Sequence, residues 1–367
     1  MPKLILFLLI GLNLIVFAVF GQPIQHKELA FKSSQLTKKI DPGYVLIYNT
    51  EILKVPLKGP RPFLAFACKV LFAKESPKPL LEIRYLLNRS TWSPWQAIKE
   101  DNLEEIKSKE FFSELIFLEK NIKFIQLRLK VSKAELNELN LFFISPGKTD
   151  LKTLNLIKAM TASDRLTPGR PNFVSRKSWG CPQPEHSGAQ LLTNVTHLVI
   201  HHSGANNFSK DYPAVVRSYW TYHVKVHKWS DIGYNWLVDE NGVLYKGRAW
   251  RNATQENVQG AHNTGRNGNT VGICFIGDYE KYIPKSKGLE KLTAIMAFLC
   301  NKYGIDPTSQ SYHAALSRIN DNISGHQQSG GGGTHCPGTH LSSLLDELRQ
   351  NTRNQIINSC YAHKLVV

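Results

Sequence analysis

The chain has 367 residues, of which 42% are hydrophobic and 20% are charged. These values are typical of a globular protein and exclude a disordered or fibrous chain. The 45 Lys+Arg against 29 Asp+Glu give a formal charge of +16, which favours an anionic partner: nucleic acid, an anionic membrane surface or a cell-wall polymer.

The N-terminus predicts export. Lys3 precedes an apolar stretch from Leu4 to Phe20 that is interrupted by Asn13, and Gly21 follows it. This order is typical of a secretory signal peptide, here residues 1–21. An uncleaved anchor is the alternative, since the stretch is long for a signal and short for a span. The rest of the chain is expected in the periplasm, at the cell surface or outside the cell, with membrane contact only if the segment stays uncleaved.

Residues 22–146 are predicted to form an all-β, sandwich-like domain. Runs such as FLAFACKVLF, LEIRYLL and FIQLRLKV are short, apolar or alternating, and separated by Pro, Lys and Asn clusters. Trp92 and Trp95 lie in a turn-rich stretch. They either pack in the core or stack on a sugar, and packing is the favoured interpretation.

Residues 147–172 read as a linker because they hold Pro and Gly with scattered charge, and one short helix is predicted at Leu151 to Ala162. From residue 173 strand patterns alternate with helical ones. VTHLVIHH predicts a strand, IGYNWLVDENGVLYKGR a hairpin around Asn-Gly, and GLEKLTAIMAFLCNKYG an amphipathic helix. The expected fold of residues 173–352 is α/β, a mixed central sheet covered by helices, followed by a tail at 353–367.

Two stretches of this second region hold metal-binding residue types. His201 and His202 end the predicted strand, where neighbouring side chains face opposite sides, so only one of them can point at a common site. His326 and Cys336 lie in the loop SGHQQSGGGGTHCPG. Two His and one Cys, with a fourth position open, are a ligand set of catalytic zinc. A His-His pair alone is more often explained by surface or core histidines.

The segment from Val174 to Gln350 resembles the peptidoglycan recognition proteins and the zinc-dependent N-acetylmuramoyl-L-alanine amidases of type 2. VSRKSWG, THLVIHHSG, DIGYNWLVDENGVLYKGRAW, VQGAHNTGRNGNTVGICFIGDY and THCPGTHL occur in the family's order. The β-rich region ahead of them is similar to that of bacterial secreted members.

The resemblance implies a function for each of six residues. His201, His326 and Cys336 are expected to bind Zn2+, Tyr234 and Thr334 to be catalytic, and His262 to contact substrate. Arg248 in YKGRAW is a further candidate for substrate binding, through a stem-peptide carboxylate, and a surface charge is the alternative.

The loop between His326 and Cys336 departs from the family's pattern, and the family's pattern also implies a disulfide. The family's loop reads Gly-His-Arg-Asp with the Cys eight positions after the His, whereas Gln327 and Gln328 stand here and the distance is ten. Secreted relatives often tie their opening segment to the amphipathic helix. This implies a disulfide between Cys181 and Cys300, with Cys360 as an alternative partner.

The expected function is hydrolysis of the amide bond between N-acetylmuramic acid and L-alanine in peptidoglycan, by a monomer. The alternative is a non-catalytic peptidoglycan-binding protein, but such relatives typically lack the Cys ligand that Cys336 supplies. A nucleic-acid partner is not expected, because the chain is exported and holds no recognised nucleic-acid motif.

Overall fold

The structure is a computed structural model that describes residues 23–41, 45–75, 78–88, 90–101, 109–132, 135–162, 169–204, 209–330 and 333–364. The predicted signal peptide lies outside these residues. A search of the described part finds no helix with the length and apolarity needed to span a membrane.

The N-terminal region is built from antiparallel strands, which confirms the predicted β-rich region. The strands are β1 (Gln25–Lys32), β2 (Thr37–Ile40), β3 (Val45–Asn49), β4 (Leu53–Lys54), β5 (Phe63–Phe72), β6 (Leu80–Tyr85), β7 (Gln96–Ile98), β8 (Glu110–Phe112), β9 (Ile116–Glu119), β10 (Phe124–Ser132) and β11 (Leu136–Ser145). One sheet has the order β1-β11-β5-β8, with β9 also on β5. The other has the order β2-β3-β10-β6-β7, with β4 also on β10.

Strand β5 is buried on both faces, which explains why FLAFACKVLF is a nearly continuous apolar run. Leu64 and Phe66 lie in a cluster that takes side chains from both N-terminal sheets, including Leu127 of β10. Phe63 and Ala65 alternate with them and face the C-terminal region instead. The N-terminal region therefore has a core of its own and a second apolar face for its neighbour.

Trp92 and Trp95 are half-buried and share one cation. The guanidinium of Arg84 lies 4.9 Å from the ring centroid of Trp92 and 4.7 Å from that of Trp95. The two rings therefore pack against Arg84, but neither belongs to the buried core of the β-rich region.

The C-terminal region is a mixed α/β structure, as predicted. Its strands are β12 (His197–His202), β13 (Trp236–Val238), β14 (Leu244–Lys246), β15 (Thr270–Phe275), β16 (Gln310–His313), β17 (Arg318–Asp321) and β18 (Ile323–Gly325). The helices of the chain are α1 (Leu151–Ala162), α2 (Arg176–Trp179), α3 (Tyr212–Thr221), α4 (Ser286–Tyr303), α5 (Thr339–Ser342) and α6 (Leu345–Lys364). Helix α1 confirms the helix predicted inside the linker, and α6 continues past the predicted boundary at residue 352.

The central sheet has the order β14-β13-β15-β12-β18. Its neighbours are parallel except for β13 and β14, which form the predicted hairpin. One face packs on α4 and α6. The other packs on α3, whose ten residues are all buried.

Helix α3 lies between the central sheet and the N-terminal region. Phe117 of β9 packs edge-on against Tyr219 of α3, with ring centroids 5.9 Å apart. Arg217 of α3 donates to the carbonyls of Pro146 and Gly147 at 2.7 and 2.9 Å, so the start of the predicted linker is fixed to the helix. The two regions thus share one buried apolar cluster.

The predicted disulfide between Cys181 and Cys300 is wrong, because both are free thiols. Cys181 packs at the edge of the cluster on the α3 face of the central sheet. Cys300 belongs to the cluster on the α4 face. The sheet separates them, and a disulfide needs Cβ atoms about 3.5–4.5 Å apart.

Candidate metal centre and catalytic cleft

The topology of the central sheet brings two histidines together. His201 lies near the end of β12, and His326 directly follows the parallel neighbour β18. Because parallel neighbours end at the same edge of a sheet, both side chains lie at that edge. The backbone N–H of His326 donates to the carbonyl of Ile200 at 3.0 Å, which fixes the register of the two segments.

Cys336 completes a compact donor set. One ligand atom from each of His201, His326 and Cys336 lies within 4.8 Å of the other two, and all three residues are buried. The Cys336 sulfur is 3.6 Å from Nδ1 of His201 and accepts the backbone N–H of His202 at 3.3 Å. The structure therefore brings together the three residues predicted as metal ligands, although they are far apart in the chain.

The chemistry of this donor set fits a soft divalent cation. Within the described residues Nδ1 of His326 is buried without a hydrogen-bond partner, as a nitrogen reserved for a metal would be. Burial lowers the pKa of His201 well below its usual value, so its imidazole is neutral and has a lone pair to donate. Burial also raises the pKa of the Cys336 thiol to about 12, so the thiolate requires a neighbouring cation.

The enlarged glycine loop is closed by protein contacts at its base. The backbone N–H of Gln327 donates to the carbonyl of Cys336 at 2.8 Å, and the Ser329 hydroxyl donates to the carbonyl of His326 at 3.0 Å. Gly330 has φ +95°, and a Cβ there would lie 2.6 Å from a Leu316 methyl carbon. The positive φ thus favours glycine at position 330, while residues 331 and 332 lie outside the described part.

A cleft opens beside the donor set. Its lining includes Tyr234, His326, Thr334 and Cys336. The Thr334 oxygen accepts the backbone N–H of Cys336 at 3.1 Å, which leaves its own proton free to be donated. Burial raises the pKa of Tyr234 well above its usual value, so its hydroxyl stays protonated and can also donate. Both predicted catalytic residues therefore line the cleft as hydrogen-bond donors.

His262 occupies a different place from the one predicted. Its ring is fully buried behind His201 and does not line the cleft described above. Gly260 and Gly272 create the space, because a Cβ at either position would lie 2.4 or 2.2 Å from Cδ2 of His262. The geometry gives His262 a contact with a predicted metal ligand and no exposed surface for substrate.

Arg248 also lies away from the cleft lining. Its guanidinium is buried and donates to Gln190 Oε1 at 3.0 Å, to the carbonyl of Ile232 at 3.2 Å and to the hydroxyl of Ser230 at 3.0 Å. These bonds hold the segment before β13. These bonds satisfy the buried guanidinium, so a substrate carboxylate is not needed to explain its position.

The β-rich region contributes residues to the cleft that were not predicted from the sequence. Glu100, Asp101, Glu114 and Leu115 line it from the side of the β-rich region. No residue pattern signals this, since Ser113-Glu114-Leu115 reads as an ordinary part of a strand-rich stretch. Only the packing of β5 and β9 against α3 brings these residues to the site.

Known proteins resemble the second region. A family model described as N-acetylmuramoyl-L-alanine amidase matches residues 191–339. Peptidoglycan-recognition protein SC2 of Drosophila simulans is 31% identical over 171 residues, which cover 46% of this chain and 82% of that protein. The N-acetylmuramoyl-L-alanine amidase of Mus musculus is 30% identical over 182 residues, or 48% of this chain and 31% of that protein.

Among solved structures, wild-type PGRP-LB of Drosophila is 29% identical and covers 47% of this chain and 92% of that chain, with a TM-score of 0.38. The sequence matches cover the strands and the loop that carry His201, His326 and Cys336. The chain therefore belongs to the family of peptidoglycan recognition proteins and N-acetylmuramoyl-L-alanine amidases.

Proposed function

We propose that the protein is a zinc-dependent amidase that hydrolyses the bond between N-acetylmuramic acid and L-alanine in peptidoglycan. The observation that carries the proposal is the buried set of His201, His326 and Cys336, which meet beside a cleft. Two neutral histidines and one cysteine are a ligand set of catalytic zinc, and three protein ligands leave a position for water or substrate. A protein that only binds its ligand has no need of this set.

The protein's own residues would bind the ion and provide hydrogen-bond donors for the reaction. His201, His326 and Cys336 would hold the ion, and a zinc ion held there supplies a Lewis acid that polarises a carbonyl and lowers the pKa of water. Tyr234 and Thr334 present two hydroxyl donors to the same cleft. Both donors suit the oxygen on which negative charge develops during attack on the amide carbonyl.

The proposed substrate also suggests where the protein acts. Peptidoglycan carries carboxylates on its stem peptides, and the net charge of +16 favours such a polymer. We place the protein outside the cytoplasm, where peptidoglycan lies, as a monomer whose two N-terminal sheets form a β-sandwich beside the catalytic region.

Release of dye from labelled cell walls tests the proposal. The zinc-loaded protein should solubilise the dye, and a chelator in excess should stop the release. Protein that sediments with the walls and releases no dye at any zinc concentration would instead be a peptidoglycan-binding protein.

A further inference from the structure

The β-rich region supplies three carboxylates to one side of the cleft, Glu100, Asp101 and Glu114, which we call the acidic wall. Two short segments carry it, and they pair as antiparallel strands: the backbone N–H of Asp101 donates to Phe112 at 2.8 Å, and that of Glu114 donates to Lys99 at 2.9 Å. The pairing places Asp101 and Glu114 on one rigid support. The acidic wall is thus held by backbone hydrogen bonds between two paired segments and does not lie at the tip of a loop.

The C-terminal region fixes this wall against the metal centre. The Tyr222 hydroxyl lies 2.6 Å from Oδ2 of Asp101 and also 2.6 Å from the carbonyl oxygen of Ser113. Nε2 of His227 lies 3.2 Å from the same carboxylate oxygen of Asp101. These contacts cross between the two regions and fix the position of the wall in the cleft.

Among the three carboxylates of the wall, Glu114 differs from its neighbours. Glu100 pairs with Lys78 at 2.6 Å, and Asp101 binds Tyr222 and His227. The carboxylate of Glu114 makes no hydrogen bond or ion pair within the described part of the chain, although it is only partly exposed. A Cβ built on Gly204, three positions after His201, would lie 3.4 Å from Oε2 of Glu114.

The charges around Glu114 largely offset one another. Lys99 and Asp101 act on it from the β-rich region, and Lys281 and Asp278 from the loop after β15. Burial is the largest influence and raises the pKa of Glu114 to about 7. A carboxyl group with this pKa can both accept and release a proton near neutral pH.

We propose that Glu114 is a catalytic residue of the amidase reaction, supplied by the β-rich region, which transfers a proton from the attacking water to the leaving nitrogen of L-alanine. The inference rests on the proposed function. It also gives the β-rich region a function, because Glu114 belongs to that region and only its packing on α3 brings the carboxylate into the cleft.

The atoms balance without a further reactant. The water oxygen forms a bond to the lactyl carbonyl carbon while one water proton passes to the Glu114 carboxylate. The carbon–nitrogen bond then breaks as Glu114 returns that proton to the nitrogen. The new carboxylic acid and the new amine exchange their last proton through solvent, and Glu114 is again ionised.

Kinetics of Glu114→Gln test this inference. The substrate is a soluble N-acetylmuramoyl-L-alanyl tripeptide, and kcat, KM and zinc content are measured from pH 5 to pH 9. We expect kcat to fall at least about 100-fold, the size of a lost general acid–base, with KM and zinc content nearly unchanged. The fall of kcat on the acid side should disappear, and Glu114→Asp should recover part of the rate.

Glu110→Gln is the matched control. Glu110 lies in the same region and pairs with Lys69 at 3.3 Å on β5, so its loss should leave kcat unchanged. Near-ultraviolet circular dichroism checks that each variant is folded.

Three other results would overturn the inference, and they differ in what they say about the proposed function. Wild-type activity in Glu114→Gln overturns the inference and leaves the proposed function standing. A raised KM with unchanged kcat also overturns it, since Glu114 would then bind a substrate amine instead of moving a proton. A wild-type protein that is zinc-loaded and cleaves nothing overturns the proposed function and this inference together.

Discussion

Nε2 of His201 lies 3.0 Å from Nδ1 of His262, in the interior behind the donor set. The hydroxyl of Thr270 donates to the carbonyl of Asn267 at 2.9 Å, so at its 3.3 Å contact with Nε2 of His262 it accepts a proton. His262 therefore carries its proton on Nε2 and accepts the Nε2 proton of His201. That leaves Nδ1 of His201, the atom 3.6 Å from the Cys336 sulfur, free to bind a metal.

Replacement of His262 should weaken metal binding. We expect His262→Ala to lower zinc affinity about 10- to 100-fold, the usual effect of losing a group that orients a ligand. His262→Asn should retain more affinity, because its Oδ1 can take the place of Nδ1 as the acceptor. Competition with a chromophoric chelator measures both values. Wild-type affinity in His262→Ala would contradict the orienting function of His262.

Loss of either cleft hydroxyl should slow the reaction without releasing the metal. Tyr234→Phe and Thr334→Ala each remove a donor, for which we expect kcat to fall on the order of 100-fold. Thr334→Ser keeps the hydroxyl and serves as the control. Metal analysis accompanies the kinetics, and loss of zinc from Tyr234→Phe would show that the tyrosine supports the ligands instead.

Shortening the glycine loop should leave the metal centre intact. Deletion of Gly331 and Gly332 restores a spacing of eight between His326 and Cys336. The contact between Gln327 and Cys336 closes the loop at its base, so both ligands can keep their positions. Loop closure also becomes slightly less costly in entropy. Zinc titration should give equal or higher affinity, and complete loss of zinc would mean that the longer path is required.

Much of the site could be predicted from sequence because its ligands sit next to strong local patterns. The apolar run before His201 indicates a strand, and the Cys-Pro-Gly after the loop matches the family. His262 was predicted to contact substrate because the sequence shows which residues flank it but does not show that its side chain is buried. Its burial depends on the two glycines that make room for its ring. Glu114 could not be found at all, since it reaches the cleft only through packing between two regions.

The buried Asp239 should make stability depend on pH. Burial raises its pKa from 3.8 to about 7 in the folded state. Between these values the folded protein binds more protons than the unfolded chain. The free energy of unfolding should therefore fall as the pH rises through this window, by up to about 1.4 kcal/mol per pH unit from this group.

Asp239→Asn tests that dependence. The amide oxygen can still accept the backbone N–H groups of Asn241 and Val243, which Oδ1 of Asp239 accepts at 2.9 and 3.0 Å. Urea unfolding at several pH values should show that the variant gains stability relative to the wild type as the pH rises from 4 toward 7. Parallel curves for the two proteins would contradict the raised pKa.

Mass spectrometry of purified peptidoglycan tests the central claim most directly, with wild-type protein and Cys336→Ala compared side by side. The wild type should contain one zinc ion per chain and release free stem peptides that begin with L-alanine. Cys336→Ala should lose most of the zinc and release none, while Cys68→Ala, a buried cysteine of the β-rich region, should behave as the wild type. Release of the same peptides by metal-free protein or by Cys336→Ala would contradict the account, as would products cut at any other bond.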